Sequence, residues 1–169
     1  IEIQSVSHGP LMKEIDSEKY PLLNDAVKLI HAGEPEKAIL VFNKAEIEYG
    51  ATRDLLFNRA SAYWDAEMDK EAVQDLTDCI NLDKNYLAAY INRGLYLGYN
   101  GKFERALKDF EFAIKLNPNE SSIYLNRSVI YSFMNETEKG CNDLQTALDK
   151  GFEEQYGSMA HDLIEKHCK

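Results

Sequence analysis

The sequence predicts an all-α chain: an α-solenoid of four helix–turn–helix repeats finished by a C-terminal capping helix. Two observations carry the prediction. Small residues recur every 34 positions in two separate phases, and large apolar residues sit around them at helical spacing. A third observation bounds it. The chain has 169 residues, 44% hydrophobic and 28% charged, which is the balance of a folded domain and not of a disordered one.

The second helix of each repeat is read from GEPEKAILVFNKA (33–45), MDKEAVQDLTDCI (68–80), GKFERALKDFEFAI (101–114) and TEKGCNDLQTAL (137–148). Ala38, Ala72, Ala106 and Gly140 fall in register, each 34 residues after the last. Phe42, Leu76, Phe110 and Leu144 follow four positions on, and Ala45, Cys79, Ala113 and Ala147 three further. Small, large, small at i, i+4 and i+7 describes one helix face with a close-contact point at each end. The first helices are LLNDAVKLIHAG (22–33), LLFNRASAYWDAE (55–67), AAYINRGLYLGYNG (88–101) and SIYLNRSVIYSFM (122–134), with Ala26, Ala60, Gly94 and Ser128 again 34 apart. Small side chains at these points let helix backbones approach closely.

This pattern resembles the tetratricopeptide repeat family, a helix–turn–helix unit of about 34 residues. The family carries small residues at its eighth, twentieth and twenty-seventh positions and often proline at its thirty-second. The likeness rests on Ala26/Ala38/Ala45, Ala60/Ala72/Cys79, Gly94/Ala106/Ala113/Pro118 and Ser128/Gly140/Ala147. The segment NGKFERALKDFEFAIKLNPN (100–119) is close to the family consensus. It implies a right-handed α-solenoid with repeats at 19–52, 53–86, 87–120 and 121–154. The departures are Lys84 and Phe152 where proline is common, and Gly140 where alanine is usual.

The ends follow from what a stacked array leaves uncovered. Residues 155–169 are expected to form a capping helix, with Tyr156, Met159, Ala160, Leu163 and Ile164 at helical spacing over the last repeat. Residues 1–18 have no clear period and contain Gly9-Pro10, so an irregular arm or linker is expected there. The chain does not begin with methionine, which points to a mature or trimmed form. Cys79 occupies a small buried slot and should be an inert thiol. Cys141 and Cys168 could form a disulfide if the last helix folds back, or remain two separate thiols. A bond would suggest an oxidising compartment. The pattern GCNDLQTALDKG…IEKHC also resembles repeat proteins of the bacterial cell envelope. The expected location is therefore the envelope or periplasm after removal of a signal, with the cytoplasm as alternative.

The family's concave side is lined by first helices, and its sixth position here holds Asn58, Asn92 and Asn126. Each amide offers a donor and an acceptor, so such a row could hold an extended peptide backbone; the alternative is an asparagine bonded to its own scaffold. Around it lie Phe57, Ser61, Trp64 and Asp65, then Ile91, Leu95 and Tyr99, then Leu125, Val129 and Phe133. If exposed, these would supply pockets for anchor side chains; if not, they are core between repeats. Arg59, Arg93 and Arg127 stand in register, and Asp75, Asp109 and Asp143 follow each by sixteen residues. The first repeat has neither, with Asp25 and Val41 in those slots. Residues present together and absent together behave as structural ion pairs more than as an anion site.

The composition limits partners. Nineteen basic and 29 acidic residues give a net charge of −10, which disfavours nucleic acid and anionic membrane surfaces. No apolar run reaches the roughly 20 residues of a membrane-spanning helix. Relatives that clamp the acidic tails of heat-shock chaperones use lysine, asparagine, asparagine, lysine and arginine at set positions. Those slots hold Leu23, Val27, Asn58, Ala88 and Asn92 here, or Phe57, Ser61, Asn92, Ser122 and Asn126 one repeat later. Without the cations such a tail lacks counter-charge, so a neutral or basic ligand is expected.

No phosphate loop, HExxH, GxSxG or CxxC is present, and no catalytic pair, cofactor or metal site is assigned. His161, His167 and Cys168 lack ligand spacing. Asn119, Asn126 and Asn135 begin glycosylation tripeptides, but the pattern is too common to assign a modification. The sequence thus favours a soluble, acidic, non-enzymatic adaptor that binds protein. The alternatives are an assembly subunit using its ends or C-terminal helix, and an envelope carbohydrate or small-molecule binder using Trp64, Tyr99 and the asparagines.

Overall fold

The computed structural model describes residues 19–168. The predicted arm at 1–18 and the terminal Lys169 lie outside the described residues, as do the side chains of Gln155 and Tyr156. The helices are α1 (Pro21–His31), α2 (Pro35–Tyr49), α3 (Arg53–Asp65), α4 (Asp69–Leu82), α5 (Leu87–Tyr99), α6 (Phe103–Leu116), α7 (Ser121–Phe133), α8 (Thr137–Asp149), α9 (Phe152–Tyr156) and α10 (Met159–His167). The fold is all-α and belongs to the α-solenoid class: consecutive helices pair through short turns, and no strand occurs among the described residues. The chain divides into two compact units, with the boundary between Ala89 and Tyr90 inside α5.

In the unit ending at Ala89, α1 packs on α2, α2 on α3 and α3 on α4. The small residues Ala26, Ala38, Ala45, Ala60, Ala72 and Cys79 are fully buried there, and Phe42 and Leu76 fill the space between them. In the unit from Tyr90, α6 packs on α7, α7 on α8, and α10 on both α8 and α9. Its contact points are Ala106, Ala113 and Ala147, with Phe110 buried among them. Gly94 is small for a reason that the packing shows: a methyl group there would come within 3.2 Å of the Phe110 ring and the Ala106 carbonyl.

The turn inside each repeat follows one rule. Gly33, Glu67, Gly101 and Asn135 lie 34 residues apart, and all adopt a left-handed backbone, with φ between 58° and 72°. After each, an amide turns back to close the helix end, as from Met68 N–H to the Tyr63 carbonyl at 2.8 Å and from Lys102 N–H to the Leu97 carbonyl at 2.8 Å. The turns between repeats also recur. Asp83 Oδ1 accepts from Asn85 N–H at 3.0 Å, and Asn117 Oδ1 accepts from Asn119 N–H at 3.1 Å. The side-chain bond sets this turn at Lys84 without the proline that stands at Pro118.

One expectation changes. The single capping helix at 155–169 is two helices, because α9 stops at Gly157, whose φ of 85° takes the chain out of helical geometry. Both then touch α8, and α10 makes the larger contact. The cap begins earlier than expected, at Phe152, which is 3% exposed.

Candidate functional site

The in-register charges resolve first. Arg59 Nε and Nη2 donate to Asp75 Oδ2 and Oδ1 at 2.7 and 3.0 Å. Arg93 makes the same fork to Asp109 at 2.8 and 2.7 Å, and Arg127 to Asp143 at 2.7 and 2.7 Å. Each links the first helix of a repeat to the second across a buried carboxylate. Arg59 also donates from Nη1 to Asn43 Oδ1 at 2.9 Å and to Glu46 Oε2 at 2.6 Å, partners on α2 that the spacing did not reveal. Burial works against the charge on Arg59, but the bonds to Asp75 and Glu46 outweigh it and hold the guanidinium more firmly protonated than usual. The Asp143 bond does the same for Arg127 against the cost of burial. These cations are committed to the scaffold.

The asparagines are buried on the same helices. Asn58, Asn92 and Asn126 are 2%, 2% and 3% exposed. Asn58 Nδ2 donates to the Asp54 carbonyl at 2.8 Å, one turn back on α3. The Oδ1 atom of all three is buried without a hydrogen-bond partner. Each slot therefore holds an acceptor that the scaffold does not use.

The apolar stripe around them is mostly interior. Phe57, Ile91, Leu95, Leu125 and Val129 are 0–5% exposed, so they pack the core and do not form open anchor pockets. The physical reason is that a helix in a stacked array has neighbours on more than one side. Phe57 meets the Tyr86 ring edge-on at 5.2 Å, a partner from the turn before α5. What remains accessible is aromatic. In the first unit Trp64 is half-buried beside exposed Asp65. In the second, Tyr99 at the end of α5 is 38% exposed and meets Phe133 at the end of α7, with ring centres 5.3 Å apart. Burial raises the Tyr99 hydroxyl pKa, so it stays protonated as a hydrogen-bond donor at neutral pH.

Cys141 and Cys168 are joined in a disulfide that ties the end of α10 to α8, while Cys79 is a buried thiol. His161 faces Glu165 at 3.6 Å on the exposed side of α10. No group of three or more His, Cys, Asp or Glu among the described residues is placed to hold a metal ion. No helix among them is long and apolar enough to cross a membrane.

Comparison with known proteins places this geometry. Tetratricopeptide repeat family models match residues 54–86 and 87–120. The chain is similar to TTC0263, a thermophilic TPR protein of Thermus thermophilus, with a TM-score of 0.73 and 20% identity over 86% of this chain and 81% of that one. It is also similar to the second TPR domain of human RPAP3 in complex with the HSP70 peptide SGPTIEEVD, with a TM-score of 0.62 and 30% identity over 67% of this chain and 95% of that one. The first TPR of Spaghetti (RPAP3), bound to the HSP90 peptide SRMEEVD, gives a TM-score of 0.64 and 28% identity over 72% and 97%. No curated protein sequence gives a significant match.

Proposed function

The chain belongs to the tetratricopeptide repeat family, and we propose that within this family of protein–protein interaction modules it binds an extended peptide through the first helices of its repeats, divided at 19–52, 53–86, 87–120 and 121–154. One observation carries the reading: Asn58, Asn92 and Asn126 each bury an amide oxygen that nothing in the scaffold satisfies. A buried acceptor left unpaired costs about 1–3 kcal/mol. A backbone N–H from a ligand would recover that cost at every repeat that carries the slot. The atoms are covered in the free chain, so engagement requires side chains over them to move. In the second unit the exposed Tyr99 and its neighbour Phe133 offer an aromatic contact for an anchor side chain.

The ligand we propose is neutral or basic. The RPAP3 domains bind peptides ending in EEVD, but the lysine and arginine slots of the clamp hold Leu23, Ala88 and Asn92 here, or Phe57, Ser122 and Asn126 one repeat later. The in-register arginines are bonded to aspartates, and the net charge is −10. The role assigned is binding, without catalysis.

Selection from a phage-displayed random peptide library on the immobilised chain tests this. The expected ligands are extended, lack acidic ends and carry an aromatic or aliphatic anchor. Binding should weaken about tenfold in the Asn92→Ala/Asn126→Ala variant, the scale of one or two hydrogen bonds, with the helical circular dichroism unchanged. Undiminished binding by that variant would overturn the slot assignment. Micromolar binding of SGPTIEEVD would overturn the charge preference.

A further inference from the structure

We propose that the partly open cavity lined by α7, α8 and α10 is a binding site for a phenolic group, the side-chain class of tyrosine. The cavity has a volume of about 140 Å³. Val129, Leu144 and Leu163 supply hydrocarbon walls, and Ser132, Thr137 and His167 supply polar ones. Cys141 and Cys168 also line it, so the disulfide that ties α10 to α8 forms part of the wall.

Three features select the ligand. The first is size: the volume is close to the roughly 150 Å³ in which a protein cavity accepts a benzene ring, and the polar part of this wall leaves room for a ring that carries a polar group. The second is an unmet hydrogen bond. His167 lines the cavity, and its Nε2 atom is buried without a partner. The Ser128 hydroxyl, also in the wall, is already engaged, donating to the Leu125 carbonyl at 2.6 Å. A bare hydrocarbon ring would leave the histidine nitrogen unpaired. A phenol hydroxyl both donates and accepts, so it suits either tautomer of the imidazole. The third is charge. No lysine or arginine lines the cavity, and the chain carries a net −10, so an anionic ligand finds no counter-charge. Displacing poorly ordered water from an aliphatic wall favours binding of a ring.

The site is separate from the peptide slots. Only Val129 is common to the cavity wall and the stripe around the asparagines, so either proposal can fail alone. The test is a titration of the isotope-labelled, disulfide-intact chain with 4-methylphenol and, in parallel, with toluene, read by nuclear magnetic resonance. Saturable shifts are expected at the methyls of Val129, Leu144 and Leu163 and at the His167 ring. Toluene should bind about tenfold more weakly, because it cannot satisfy the nitrogen. His167→Phe should erase the difference between the two probes, and Leu163→Phe, which fills the cavity, should abolish binding of both. Equal affinities in the unsubstituted chain, shifts centred on Tyr99 and Phe133, or no saturable shift would each overturn the proposal. The two-probe comparison needs no variant, so a substitution that impairs folding leaves the test intact.

Discussion

Arg93 and Asp109 show how much one pair can decide. The guanidinium fork satisfies both carboxylate oxygens, and neither group is well exposed. Removing the aspartate takes away the carboxylate that both arms of the fork bond, in a poorly solvated place. Asp109→Ala is therefore expected to cost about 3–5 kcal/mol in urea denaturation. Replacing both partners by leucine should recover most of that, because no charge is then buried alone. An Asp109→Ala chain as stable as the parent would show that the pair is solvated. Cys79 gives a second residue-scale expectation. Its thiol donates to the Arg53 carbonyl at 3.5 Å, and burial raises its pKa to about 12. The unfolded thiol ionises near pH 9, so the folded state holds its proton more tightly. The stability this confers is complete below pH 9 and is lost as pH rises from 9 toward 12, by about 1.4 kcal/mol per unit. Comparing the parent with Cys79→Ala at about pH 8 and about pH 10 isolates this effect. The parent should lose more stability, and its native thiol should resist alkylation at the lower pH.

Helix ends and crossings operate on the scale of elements. The left-handed turn residue recurs at Gly33, Glu67, Gly101 and Asn135, but only glycine takes that backbone without cost. Glu67→Gly is expected to raise stability by about 1 kcal/mol, measured as a shift in the denaturation midpoint. No change would mean that the Glu67 side chain offsets its strain. The crossing of α5 and α7 works the other way. A methyl group at Gly98 would lie 2.2 Å from Ile130 Cδ1. Gly98→Ala should cost about 1–3 kcal/mol through overpacking, despite the better helix propensity of alanine. Ile130→Val, which removes that carbon, should relieve part of the loss. If the double variant is no better than the single, the strain lies elsewhere.

At the scale of the whole molecule, the last repeat has no further repeat to cover it among the described residues, and α10 takes that role on α8. The disulfide closes a span of 27 residues, which constrains the unfolded chain by about 3.5 kcal/mol. Cys168→Ser is expected to lower stability by that order and to raise amide exchange in α10 ahead of α7. Exchange that rises equally throughout would show that the bond does not act on the terminal helix in particular.

Much of this was legible in the sequence, and the reason differs by feature. The helix pairs, their 34-residue phase and the Arg–Asp forks were readable because each depends on spacing along the chain. The spacing of Cys141 and Cys168 permits a bond, but their joining depends on where α10 lies. Register places Asn58, Asn92 and Asn126 in one row, yet no spacing rule shows that their oxygens lack partners. The cavity at Leu144, Leu163 and His167 left no signal beyond a histidine without metal-ligand spacing.

By itself, then, the sequence determined the repeat and its internal pairings, since periodic small residues and local turn chemistry act through the covalent chain. The tertiary structure decided which side chains remain available. It buried Phe57, Ile91, Leu95, Leu125 and Val129, left Trp64, Tyr99 and Phe133 partly in solvent, and broke the cap at Gly157. Exposure is whatever surface remains after every neighbour has packed, and no position along a helix carries that information alone.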